Sequence, residues 1–130
     1  MKAAYPIVLT PDKNGFVVYV PDFDINTEGT TLAEAIEMAR DAIGIVGISF
    51  EDDKRNLPIP SNLKDIQAKK NELVSLVDID FIDYRRKNTN RFVRKNCSLP
   101  SWLNDEAEAE HINFSAVLQE ALKQKLNIQD

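Results

Sequence analysis

Seven consecutive residues, Arg85-Arg86-Lys87-Asn88-Thr89-Asn90-Arg91, contain no apolar side chain. Such a stretch has nothing to bury. It reads as a basic hinge, residues 85–91, dividing the 130-residue chain into residues 1–84 and 92–130. The division constrains the second part most. Phe92 to Leu99 reads as a strand closed by Pro100, Ser101 to Glu110 as a helix, and Phe114 to Lys125 as a second helix capped by Asn113. One strand and two short helices can neither pair the strand nor close a core. Two copies can do both, with the strands paired antiparallel and four helices interlocked against them.

That arrangement is a ribbon–helix–helix homodimer through 92–130, whose two-stranded ribbon enters the major groove of DNA. Strand alternation sorts the side chains. Cys97 and Leu99 point to the helices, which leaves Arg94, Asn96 and Ser98 outward. A guanidinium, an amide and a hydroxyl are the groups that read base edges. Lys95 falls on the inward face, where its stem can snorkel outward, unless the strand begins only at Asn96. Arg91 and Lys95 are the expected phosphate contacts, together with the N–H groups at the start of the second helix, around Asn113, Phe114 and Ser115. Charge supports DNA over a merely solvated dimerisation hairpin. Residues 85–104 hold six bases and no acid, whereas 1–84 hold eight bases against fifteen acids and 105–130 two against six.

Residues 1–84 read as β-β-(β)-α-β, a small α+β unit. Residues 3–10 form a first strand and Phe16 to Val20 a second, joined by a turn in which Asn14-Gly15 supplies positive φ. Asp24 to Glu28 is a short third strand. Thr31 and Glu34 have capping-box spacing before a helix whose apolar stripe is Leu32, Ile36, Ala39, Ile43, Val46 and Phe50. Gly44 and Gly47 weaken its last turns. Residues 51–70 are a polar loop with Pro58 and Pro60, and a helical turn starts near Ser61. Glu72 to Arg85 is the last strand.

Several functions are disfavoured. One cysteine and one histidine exclude a disulfide framework and a thiolate-only or multi-histidine metal site, so no cofactor is expected. The N-terminus has no signal-peptide pattern and no apolar run spans a bilayer, which points to the cytoplasm. Cys97 is expected to be a small buried hydrophobe, His111 an exposed turn residue and Trp102 a packing residue. Asp22, Asp24, Asp78 and Asp80 could in principle hold metals for a nuclease. Turn-forming and solvated-face roles explain them better, so no enzyme is expected. Asp22, Asp24 and Glu28, with Glu51, Asp52 and Asp53, place six carboxylates in two loop regions, an excess that favours a cationic protein partner.

These residues carry a resemblance. Asn96-Cys97-Ser98-Leu99-Pro100-Ser101-Trp102-Leu103-Asn104 and Ile112 to Lys123 resemble the C-terminal module of HicB antitoxins. Tyr5 to Thr10, Gly15 to Phe23, Gly29 to Ala35, Leu57-Pro58-Ile59-Pro60-Ser61 and Val77-Asp78-Ile79-Asp80 resemble, in order, that family's N-terminal segments. The resemblance implies a partial RNase H-like domain over 1–84 that binds and blocks a HicA-type, mRNA-cleaving toxin. Asp22, Asp24 and Glu28 are then the expected toxin contacts. It also implies repression of the operon through the ribbon–helix–helix dimer; whether the assembly is that dimer or a tetramer is left open by the sequence. The alternative is a stand-alone repressor without a toxin. Two departures stand out: Asp24-Ile25-Asn26-Thr27-Glu28 replaces a turn with Gly and Cys, and Ala109-Glu110-His111 replaces a turn with Gly.

Overall fold

The computed structural model describes residues 1–89 and 91–129, so hinge residue Asn90 and the last residue, Asp130, lie outside it. The chain divides into two units, Met1–Arg91 and Phe92–Asp130. No helix among the described residues is long and apolar enough to cross a membrane.

The first unit is a four-stranded antiparallel sheet with one long helix on one face. Its strands are β1 (Lys2–Asp12), β2 (Gly15–Val20), β3 (Ile25–Gly29) and β4 (Leu73–Asp80), in the order β3-β2-β1-β4. Period-two alternation builds the core. Tyr5, Ile7 and Leu9 of β1, Val18 and Val20 of β2, and Val77 and Ile79 of β4 are buried against Ala35, Ala39 and Ile43 of α1 (Leu32–Asp52). Each fully buried Ile, Leu or Val contributes roughly 2 kcal/mol. Pro6 sits in β1 without breaking the sheet, because it lies opposite Leu76 of β4 and precedes the residues that pair with β2, which start at Val8.

The first hairpin closes as Asp12 pairs with Gly15 and the Asp12 carboxylate accepts the Asn14 N–H at 2.8 Å. Of the Asn14-Gly15 pair expected to supply positive φ, Gly15 does so, at 138°. The third strand starts one residue late. Asp24 takes φ 52° instead and ends the turn before it.

Helix α1 starts on Thr31, whose hydroxyl accepts the Glu34 N–H at 3.1 Å. The reciprocal half of the capping box is absent: the Glu34 carboxylate accepts the Thr30 hydroxyl at 2.8 Å. The buried stripe also shifts. Ala35, Ala39, Ile43, Gly44 and Gly47 are buried, whereas Leu32 is exposed. Ala35 and Ala39 pack into the sheet-side core, whereas Gly44 and Gly47 lie against the aromatic rings of Tyr84 and Phe81. The helix continues through both glycines to Asp52, since a second helix packs on them.

That second helix, α2 (Phe81–Asn88), corrects two expectations. The strand predicted through Arg85 stops at Asp80, and 85–88 of the predicted hinge are helical. Asp80 is the reason. Its carboxylate accepts the N–H groups of Ile82 and Asp83 at 3.1 and 3.3 Å, and the Asp83 bond is the main cause holding its pKa low. The bases support the helix end: Lys87 pairs with Asp83 at 3.0 Å and Arg85 with Asp52 at 3.0 Å. The rings of Phe81 and Tyr84 lie where side chains at Gly47 and Gly44 would project.

The predicted loop contains one 3₁₀ turn, Leu63–Asp65, capped by Asn62. Two ties hold the loop. The Tyr5 hydroxyl donates to the Pro58 carbonyl at 2.8 Å, and Ser61 donates its N–H and hydroxyl to Asp22 at 3.0 and 2.5 Å.

The second unit contains α3 (Ser101–Ala109) and α4 (Phe114–Lys125). Residues 92–99, predicted as a strand, are in no sheet of the single chain. A strand exists only through its ladder, and this segment has no neighbour in its own unit to bond to.

Candidate functional site

In the second unit Asn113 starts α4 by accepting the Ala116 N–H at 3.0 Å. That bond spends the Asn113 side chain on the helix and aims the N–H groups of Phe114 and Ser115 out of its first turn. A cavity of about 440 Å³ is lined by Lys95, Cys97 and Leu99 on one side and by Phe114, Val117 and Leu118 among others on the other. The odd positions of the segment therefore turn toward α4. Arg94, Asn96 and Ser98 are exposed and absent from that lining, as alternation requires. Lys95 lies on the α4 side. Cys97 is exposed rather than buried, because one helix pair does not cover it.

No residue of α3 or α4 is buried. Half of the large apolar side chains exposed among the described residues belong to 92–129, including Trp102 at 62% and Val117 at 54% exposure. Exposed apolar surface on this scale is the kind that marks interaction faces in proteins generally.

In the first unit the three predicted acidic contacts separate. Asp22 is spent on Ser61 and positions the proline loop. Asp24 is exposed and accepts the Tyr19 hydroxyl at 2.8 Å, a bond that is the main cause raising the Tyr19 pKa. Glu28 is exposed on the edge strand β3. The other carboxylates considered for metal chemistry are engaged too. Asp78 accepts from Arg40 at 3.1 Å, and Asp80 caps α2 and faces the N-terminal amine at 3.5 Å. Among the described residues no group of three or more His, Cys, Asp or Glu could hold a metal ion.

The sequence reading missed a cleft on the sheet face opposite α1. It measures about 540 Å³ and lies between Val8, Val17 and Tyr19 of the sheet and Asp65, Ile66 and Gln67 of the loop. The available signal was the apolar identity of Val8, Val17 and Tyr19 at alternate positions to the core residues.

Comparison with known proteins agrees with this architecture. The family model described as a HicB-like antitoxin of a bacterial toxin–antitoxin system matches residues 5–122. Antitoxin HicB of Escherichia coli strain K12 is 38% identical over 61 residues, 45% of this chain and 44% of that protein. The chain thus matches less than half the length of that curated relative. Among solved structures, a chain of a toxin–antitoxin complex from Streptococcus pneumoniae superposes with a TM-score of 0.63 at 22% identity, covering 96% of this chain and 99% of that one. The Burkholderia pseudomallei antitoxin HicB gives 0.54 at 22%, covering 98% of each chain. A chain of the HicA3 and HicB3 toxin–antitoxin complex gives 0.51 at 26%, covering 60% of this chain and 99% of that one. With the family model spanning both units, the chain belongs to the HicB-like antitoxin family.

Proposed function

We propose that this chain is an antitoxin that neutralises a HicA-type, mRNA-cleaving toxin and represses its own operon. Residues 1–84 bind the toxin. Residues 92–130 form a ribbon–helix–helix homodimer that reads the operator, with 85–91 joining the two. Arg94, Asn96 and Ser98 contact bases; Arg91, Lys95 and the N–H groups of Phe114 and Ser115 contact phosphates. The observation that carries the reading is the family match through 5–122, which spans the acidic sheet unit, the basic segment 85–104 and the uncovered helices. No catalytic step is assigned to the chain.

The test separates the two activities. The double variant Arg94→Ala, Asn96→Ala should lose specific operator binding in a mobility-shift assay while retaining the toxin in co-purification. Each lost base contact costs about 1–3 kcal/mol. Loss of both activities in that variant would overturn the division of labour.

A further inference from the structure

The outer face of a two-layer sheet is usually polar. Here the face opposite α1 is not. Val17 and Tyr19 are each 37% exposed, and with Val8 and Ile66 they line the 540 Å³ cleft beneath the loop. The charged residues lining it, Asp65 and Glu72, are both acids. Asp24 adds a third carboxylate at the edge by holding the Tyr19 hydroxyl. None of the three forms a salt bridge among the described residues, although the Glu72 carboxylate accepts the Lys69 N–H at 2.7 Å and the Thr10 hydroxyl at 3.3 Å. An apolar floor, an aromatic ring fixed by a carboxylate and an acidic rim suit a side chain with an aliphatic stem and a cationic end.

We propose that this cleft is the surface on which the sheet unit receives a basic protein, with the Tyr19 ring as the seat of one of its lysine or arginine side chains. The proposal rests on the antitoxin reading above and names the toxin-docking face within it. Charge complementarity selects the occupant, since an acidic or purely apolar element would leave the rim carboxylates without a countercharge. Asp24 acts by orienting Tyr19. Asp22 acts one step further away by tying Ser61, and so the start of the loop, beside Pro21 of the cleft wall.

The test uses the full chain and a small basic toxin of the HicA type, each purified separately. Titration calorimetry should show binding by the wild type. The double variant Val17→Lys, Tyr19→Lys should bind at least 100-fold more weakly, with an unchanged melting temperature. Hydrogen exchange on the wild-type complex gives an independent readout, with protection expected at 17–19 and 63–67. Double-variant affinity within threefold of wild type, or protection confined to α1 and α2, would overturn the surface while leaving the antitoxin reading intact. Failure of the wild-type chain to bind the basic protein would overturn both.

Discussion

His111 does the work of a glycine. It takes φ 55° between α3 and α4, where the His111 N–H bonds the Glu108 carbonyl and the Ile112 N–H bonds that of Ala107. This is a Schellman closure, which normally has glycine at the left-handed position. Lys54 and Asn127, at φ 56° and 58°, close α1 and α4 in the same way. At the end of α1 the Arg55 guanidinium also stacks 3.8 Å over Phe50. A histidine pays steric strain in that conformation, so His111→Gly should stabilise the second unit by about 1 kcal/mol in urea titrations at fixed protein concentration. Tyr84 gives a pH prediction. Burial, then its hydrogen bond to Asp41, pushes its pKa up to about 12. The raised value means that the fold favours the protonated phenol. Its contribution is complete below the unfolded value near 10 and is lost as pH rises toward 12. Urea titrations from pH 9 to 12 should therefore show a smaller loss of stability in Tyr84→Phe than in wild type. Tyr5 and Tyr19, whose pKa values are also raised, act in the same direction.

At the scale of elements, α1 and α2 explain each other. Alanine in a helix interior usually gains about 1 kcal/mol over glycine. Gly47→Ala should do the reverse, because its methyl group would meet the buried ring of Phe81. A net loss of about 2 kcal/mol in thermal unfolding is expected. Gly44→Ala should be near neutral. Its methyl would lie 2.6 Å from the Tyr84 ring, but that ring is partly exposed and can move. The same pair of glycines made the end of α1 difficult to read, since propensity counts them as breakers and only packing shows what they admit. Similarly, apolar residues crowd the whole of 73–82, and the switch to helix depends on Asp80 turning back to cap Ile82 and Asp83. That signal was present, but it was read as part of a solvated strand face. Asp80→Ala should increase amide exchange across α2 and leave the sheet protected.

At the scale of the molecule, the two units obey different rules. The first has its core in its own chain. The second has helices and caps, but neither helix has a buried residue within the single chain, so in the proposed dimer its stability depends on the partner copy. Leu118 lines the groove with Cys97 and Leu99. In the proposed dimer, Leu118→Glu would bury a charge and should weaken self-association by about 100-fold or more, or roughly 3 kcal/mol. Light scattering should then show monomers and circular dichroism a loss of helix, while the sheet unit melts as in wild type.

The sequence by itself determined most elements of the fold: the first hairpin, the Thr31 and Asn113 caps, the bounds of α4 and the segregation of charge. These depend on near neighbours, namely side-chain alternation, local capping bonds and turn chemistry. It also placed Arg94, Asn96 and Ser98 apart from Cys97 and Leu99, because a two-residue period survives without a partner strand. Only the tertiary structure decided which carboxylates are spent and which remain available. Asp22 meets Ser61 across 39 positions of sequence, and Arg40 meets Asp78 across 38. It likewise decided that a loop crosses the outer sheet face to form a cleft, and that two glycines are seats for aromatic rings. Contacts between residues so distant depend on how the chain packs, and no local pattern records them.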